Sequence, residues 1–303
     1  MSEYISPLVY QRADPFCYRH TDGFYYFTAT VPGYDYIELR RARTLNELGT
    51  ANSKIIWKKH GSGEMGSHIW APEIHRIGNK WYIYFAAGEA ENEWNIRPYA
   101  LMCEDDDLME GEWKELGRID VGVESFSLDM TAFTLNGRQY NIWAQTLSED
   151  DTSSLYIAEM DTPVNLKSAP MLLTKPEYDW ETRGIPVNEG PAVLIRNGKI
   201  FVAYSASNTG ANYCMGMLWC DESDDVLDIG SWHKMSEPVF KTNVQAGCYG
   251  PGHNCFTSDG ESDVLIYHAR NYEEIEGDPL DDPNRHTYAK KIVYDKNGFP
   301  VFD

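Results

Sequence analysis

One short pattern returns five times along this chain, and a fivefold repeat narrows the possible folds more than any composition can. It reads DGFYYFTAT at 22–30, NKWYIYFAA at 79–87, GRQYNIWAQ at 137–145, GKIFVAYSA at 198–206 and SDVLIYHAR at 262–270. Superposing the copies sets Tyr25, Tyr82, Tyr140, Phe201 and Val264 in one column, at intervals of 57, 58, 61 and 63 residues. Each copy follows a turn signal and a second extended run: RADPFCY, WAPEIHRI, LDMTAFTL, EGPAVLIR and GHNCFTSD. Strand, turn, strand is a hairpin. Further extended runs downstream (YIELRRA, YALMCED, SLYIAEM, GMLWCD) leave room for four strands per unit. Amphipathic helices are nearly absent, with at most a turn near 44–49. Five small sheets set radially make an all-β, five-bladed β-propeller, a single domain over residues 1–303, in which only short protected edges remain. A β-sandwich does not explain five copies of one unit. The tail AKKIVYDKNGFPVF is expected to supply the last strand beside the N-terminal segment and so close the ring.

The same alignment brings together residues that are far apart in the chain. Eleven places before the column stand Asp14, Ala71, Asp129 and His253; in the fourth copy Glu189 stands twelve before. The first strand of a propeller blade lines the central channel, so two Asp, one Glu and one His are predicted to meet at one mouth of it. Taken singly each is ordinary. Asp14-Pro15 is a common turn start, Asn188-Glu189-Gly190-Pro191 is a plain turn, and Asp129 fits a solvated strand. Three carboxylates in register on three blades are another matter, because like charges in one pocket raise each other's pKa and oppose folding. Glycoside hydrolysis uses that arrangement: one carboxyl stays protonated to donate to the leaving oxygen, and another stays ionised to activate water. A non-catalytic propeller that binds a glycan or a protein has no need of three converging acids.

Composition excludes several alternatives. A net charge of −21 repels nucleic acid and anionic membranes and disfavours acidic polysaccharides. No apolar run approaches the ~18 residues of a membrane span. The start, MSEYISPLVYQRADPF, has no apolar stretch of the signal-peptide kind, so a cytoplasmic location is expected. The six cysteines, none in CxxC spacing, are then expected to be free thiols. Nine Trp and twenty Tyr suit a neutral sugar, whose ring faces stack on aromatic rings, although aromatic strands also fill β cores.

ADPF at 13–16, WAPEIH at 70–75, SLDM at 127–130, NEGP at 188–191 and GPGHN at 250–254, taken in order, resemble glycoside hydrolase family 43, and most closely its arabinofuranosidase-like members. The resemblance spans nearly the whole chain. It implies a five-bladed propeller and inversion at the anomeric carbon, with release of terminal α-L-arabinofuranosyl residues from arabinan or arabinoxylan oligosaccharides. Asp14 matches the general base, Glu189 the general acid and Asp129 the residue that modulates and orients the acid. Trp70 and Ala71 fall beside the sugar and Arg270 matches an arginine that reaches it. His253 matches an axial histidine that contacts a calcium ion through water in some members; no cofactor is required. A β-xylosidase of the same fold is the nearest alternative, disfavoured here because no second module follows the propeller. The partner implied is a neutral oligosaccharide; the sequence is silent on oligomeric state.

Overall fold

The structure, a computed structural model, describes residues 4–146 and 152–302. Blade 1 is β1 (Ala13–Arg19), β2 (Tyr25–Thr30), β3 (Tyr36–Ala42) and β4 (Ser53–Lys58). Blade 2 is β5 (Ser67–Ile77), β6 (Lys80–Gly88), β7 (Arg97–Cys103) and β8 (Lys114–Arg118). Blade 3 is β9 (Ser127–Leu135), β10 (Arg138–Gln145) and β11 (Ser154–Thr162), with the short β12 (Asn165–Leu166) and β13 (Met171–Thr174) both pairing with β11. Blade 4 is β14 (Asn188–Arg196), β15 (Lys199–Ala206), β16 (Cys214–Asp221) and β17 (His233–Lys234). Blade 5 is β18 (Tyr249–Ser258), β19 (Asp263–Arg270) and β20 (His286–Lys291), followed by a separate hairpin of β21 (Val293–Tyr294) and β22 (Pro300–Val301). The expected turn near 44–49 is a single 3-10 turn at Leu45–Glu47, closed by a capping box between Thr44 and Glu47.

The second strand of every blade is buried on both faces, because blades pack face to face. That is why these strands read as nearly continuous apolar runs rather than alternating ones. Among the described residues the core is accordingly five clusters, several of them bridging neighbouring blades, with Trp81, Trp143, Tyr99, Phe85 and Phe201 among the fully buried rings. Deleting one such ring costs about 3–5 kcal/mol.

Two expectations need adjustment. Blade 5 has three strands rather than four, and the N-terminal segment stands at its outer side: Val9 bridges Thr287 of β20, with Leu8 N–H and Val9 N–H donating to the Thr287 carbonyl. The tail thus contributes β20 beside the N-terminal segment, and the remainder of it turns away as β21–β22. The second adjustment is a register. In every blade the first strand carries two residues opposite one on the second strand: Asp14-Pro15, Ala71-Pro72, Asp129-Met130, Gly190-Pro191 and His253-Asn254. The first residue of each pair is left-handed, with φ of 51°, 46°, 56°, 54° and 41°. The true counterpart of Asp14 in blade 4 is therefore Gly190, and Glu189 stands one residue earlier. This is the source of the twelve-residue count in the fourth copy.

Candidate active site

A β-bulge with a left-handed first residue re-aims the side chain that it carries. A left-handed L-residue costs about 1–2 kcal/mol, and four of the five bulges place a non-glycine residue there. Strain of this kind persists where the surrounding structure imposes it, and it gathers at functional sites. Here it gathers at the mouth of the channel, where Asp14, Asp129, Glu189 and His253 all line one cavity of about 740 Å³. Its walls are largely apolar, with Trp70, Trp94, Phe126 and Leu128 on one part and Ile185 and Leu280 on others. Trp94 and Ile185 are exposed at the rim. Trp70 is held upright by a stacked His68 (4.4 Å between centroids) and by Tyr34, edge-on at 5.6 Å.

Asp14 is buried among cations. Its Oδ1 lies 3.4 Å from His253 Nδ1 and 3.5 Å from Arg285 Nη1. Its backbone N–H donates to His268 Nδ1 at 3.0 Å. Burial alone would raise the Asp14 pKa, but His253, Arg285 and His268 together outweigh burial and hold the carboxyl well below the ordinary carboxylate range. His268, whose pKa burial pushes down to about 4, is a neutral acceptor at working pH. Arg285 is held in turn by Tyr34, whose hydroxyl accepts from Nη2 at 3.1 Å and donates to the Leu280 carbonyl.

Asp129 and Glu189 experience the opposite field. Asp129 Oδ2 accepts the Gly190 N–H at 3.0 Å and lies 3.8 Å from His253 Nδ1. Burial, helped by the charges of Glu189 and Asp14 and opposed by His253, pushes its carboxyl up to about 7. Glu189 is also raised, by burial and Asp14, against a hydrogen bond from Tyr213 and the charge of His253. The two acids titrate as a pair, so between them they retain a proton near neutrality while Asp14 is ionised. His253, bracketed by three carboxylates, is raised despite its burial. One buried base and one buried acid in a single cavity is the equipment for protonating a leaving oxygen while activating water.

Two sequence-predicted contacts fall outside the cavity lining. Ala71 has its place in the ring, but it is buried and its N–H is spent on Thr30 Oγ1 at 2.7 Å. Arg270 lies behind the wall, 2% exposed, where Nη1 and Nη2 donate to the carbonyls of Thr209 (2.7 Å) and Pro279 (2.6 Å). It braces two loops that line the cavity. The arginine at the cavity is Arg285, just before β20 and outside the aligned columns. Strand period 2 sets Arg270 and His268 on one face, and of the two it is His268 that reaches Asp14. Tyr213 and Tyr34 were missed as well, since both lie in irregular segments that no repeat column covers.

Calcium takes six to eight oxygen ligands. Among the described residues no group of three or more His, Cys, Asp or Glu is spaced to hold a metal ion, and His253 Nδ1 faces Asp14 and Asp129. These residues do not fit a directly held ion.

A chain of the same architecture is known: the crystal structure of alpha-L-arabinofuranosidase from Lactobacillus brevis superposes with a TM-score of 0.95 at 50% identity, covering 99% of this chain and 96% of that one. The "Extracellular exo-alpha-(1->5)-L-arabinofuranosidase" of Streptomyces avermitilis is 53% identical over 302 residues, which are 99% of this chain and 63% of that protein. The protein of the same name from Streptomyces chartreusis is 53% identical over 279 residues, 91% of this chain and 85% of that one. This chain thus spans less than two thirds of the S. avermitilis relative, so length does not separate arabinofuranosidases from xylosidases as expected above. Both Streptomyces proteins are named extracellular, and this overturns the expectation of a cytoplasmic location; all six cysteines are nonetheless free thiols in the structure. The sequence matches Glycosyl hydrolases family 43 over residues 4–300, and with the propeller and its channel-mouth carboxyls in place the conclusion is that the chain belongs to that family.

Proposed function

We propose that this protein is an exo-acting, inverting α-L-arabinofuranosidase that removes terminal α-L-arabinofuranosyl residues from neutral arabinan or arabinoxylan oligosaccharides. The observation that carries this reading is the split among three buried carboxyls in one cavity. Asp14 is held ionised by Arg285 and His253, while Asp129 and Glu189 are driven toward their protonated forms. Asp14 takes the proton of the attacking water. Glu189 gives its proton to the glycosidic oxygen as the C–O bond breaks, and Asp129 modulates and orients that acid. Asp14 and Glu189 stand on blades 1 and 4, across the channel from one another, and a water between sugar and base needs carboxyls about 6.5–9.5 Å apart. The names of the Streptomyces and Lactobacillus relatives support arabinose as the sugar and, for the former, an exo mode on 1,5 linkages. The formal charge of −21 supports a neutral chain.

The test is proton NMR of the first minutes of hydrolysis of a 1,5-linked arabino-oligosaccharide, beside nitrophenyl α-L-arabinofuranoside and β-D-xyloside. Free arabinose should appear first as the β-anomer, one residue at a time, with the xyloside cleaved far more slowly. The α-anomer appearing first means retention, and then the water-activating role of Asp14 is wrong. Preference for the xyloside would transfer the reading to a β-xylosidase.

A further inference from the structure

Tyr213 is missing from every sequence pattern discussed above and does not line the cavity, yet much is built around it. It lies just before β16, in blade 4, and is 1% exposed. Its hydroxyl donates to Glu189 Oε1 at 2.7 Å. Its ring stacks on His268 at 5.6 Å with only 5° between the planes, and His268 is the acceptor for the Asp14 N–H. The ring also occupies the space that a side chain at Gly252 would need: a Cβ there would meet the Tyr213 ring at 2.3 Å and 2.5 Å. Ser205, whose hydroxyl accepts the His253 N–H at 2.7 Å, borders the same space, 3.0 Å from that Cβ position. One tyrosine is thus clamped between Gly252 and His268, with its single polar atom delivered to one oxygen of Glu189.

We propose that Tyr213 is the positioning residue of the acid: its O–H fixes the Glu189 rotamer through Oε1, reserves Oε2 for the transferable proton, and stabilises the carboxylate that forms when that proton leaves. The proposal rests on the reading of Glu189 as the general acid. In the step itself, the proton on Glu189 Oε2 moves to the glycosidic oxygen, that oxygen takes the electron pair of the breaking C–O bond, and Glu189 is left as an anion. A hydrogen bond from a neutral phenol to a carboxyl becomes charge-assisted, and roughly twice as strong, at that moment. An interaction that strengthens on the way to the transition state accelerates the reaction, whereas one of constant strength does not. Tyr213 remains a donor throughout, since burial and the charge of Glu189 push its own pKa far up. The bond also lowers the Glu189 pKa against burial, which keeps the proton available for transfer.

The test is Tyr213→Phe, which keeps the ring between Gly252 and His268 and removes only the hydroxyl. On arabinobiose kcat should fall on the order of 10- to 100-fold, the loss of one charge-assisted bond. On dinitrophenyl α-L-arabinofuranoside, whose leaving group needs little protonation, the fall should be under about threefold. The alkaline limb of kcat/KM, which reports the acid in the free enzyme, should shift to higher pH. In a Glu189→Gln background Tyr213→Phe should add almost nothing, because the group that it serves no longer transfers a proton. Near-ultraviolet circular dichroism and thermal melting confirm that each variant is folded. Equal losses on both substrates, an unmoved alkaline limb, or full additivity with Glu189→Gln would each overturn the proposal. A wild-type enzyme inactive on every α-L-arabinofuranoside would instead sink the functional reading on which it rests. Should Tyr213→Phe melt early, 3-fluorotyrosine at position 213 makes the same test with the hydroxyl retained. A more acidic phenol should move the alkaline limb to lower pH, and no movement would overturn the proposal.

Discussion

Asp14 in blade 1 and Asp129 in blade 3 are the same residue type at the same place in two copies of one unit. Both sit at the left-handed first position of a bulge, with φ of 51° and 56°, and both are buried. Their carboxyls are nevertheless driven in opposite directions, one far below the ordinary range and the other up to about 7. Backbone and burial are common to both, so neither explains the split. Neighbours do. Asp14 has Arg285 at 3.5 Å and His253 at 3.4 Å, whereas Asp129 has a backbone N–H, a more distant His253 and the acidic Glu189. The repeat builds like sockets and brings His253 to both; what differs is Arg285, delivered from outside the repeat beside Asp14, and the acidic Glu189 beside Asp129.

The largest expected effect breaks the comparison at the chemistry. Asp14→Asn should lower kcat by about 10²–10⁴ on both natural and activated arabinofuranosides, because water activation serves every leaving group. Glu189→Gln should lose a similar factor on arabino-oligosaccharides but only a small one on the dinitrophenyl glycoside. Steady-state rates of both variants on both substrates decide the matter. The same leaving-group dependence in the two variants would mean that acid and base are wrongly assigned.

A smaller effect, but with a sign that is hard to mimic, lies in stability. The pKa of Asp14 is lower in the folded state, so the stability it contributes is present above its unfolded pKa near 3.9 and is lost as pH falls. Asp129 is raised to about 7, so it subtracts stability as pH rises from about 4 and does so fully above 7. Asp129→Asn keeps an acceptor for the Gly190 N–H and removes that cost. It should match the wild type at pH 4.5 and exceed it by about 1–3 kcal/mol at pH 8, with little activity left. Asp14→Asn should be less stable than the wild type at pH 8, since it leaves Arg285 buried without its carboxylate. Urea denaturation at the two pH values reads both. If Asp129→Asn is the less stable protein at pH 8, the opposed fields drawn here are wrong.

The same division between repeat and exception governs what could be read from the sequence. Strands β2, β6, β10, β15 and β19 were legible because burial on both faces makes them near-continuous apolar runs. The outer strands were not: Ser53–Lys58 alternates between exposed and half-buried, and His233–Lys234 is two residues long. The repeat carries Asp14, Asp129 and His253 to the cavity where their column places them. Glu189 was found with an offset whose cause, a bulge carried by Gly190, no strand pattern reveals. Arg285, Tyr213 and Tyr34 were invisible, since they arrive from segments that no other blade shares. The resemblance sets Arg270 beside the sugar, whereas its guanidinium braces the Thr209 and Pro279 carbonyls behind the cavity wall.

The smallest effect tests why blade 4 departs from the others. Ala71 carries its Cβ at φ 46°, so the bulge geometry itself tolerates a methyl group. Gly190 has φ 54°, but a Cβ there would stand 3.1 Å from both Cγ and Nδ1 of His253. The left-handed conformation costs a non-glycine residue about 1–2 kcal/mol in either blade. In blade 4 the His253 ring must give way by a few tenths of an ångström besides, and its Nδ1 is the atom that faces Asp14 and Asp129. Gly190→Ala should therefore cost at least ~1–2 kcal/mol of stability, while kcat falls by about tenfold or less and the acidic limb of the pH profile moves up as His253 withdraws from Asp14. Thermal melting and a pH profile of the single variant suffice. A stability loss with an unchanged acidic limb would show that His253 can yield without loosening its hold on Asp14. Glycine at this position would then relieve left-handed strain, as it would in any other blade, and would serve no purpose at the carboxyls.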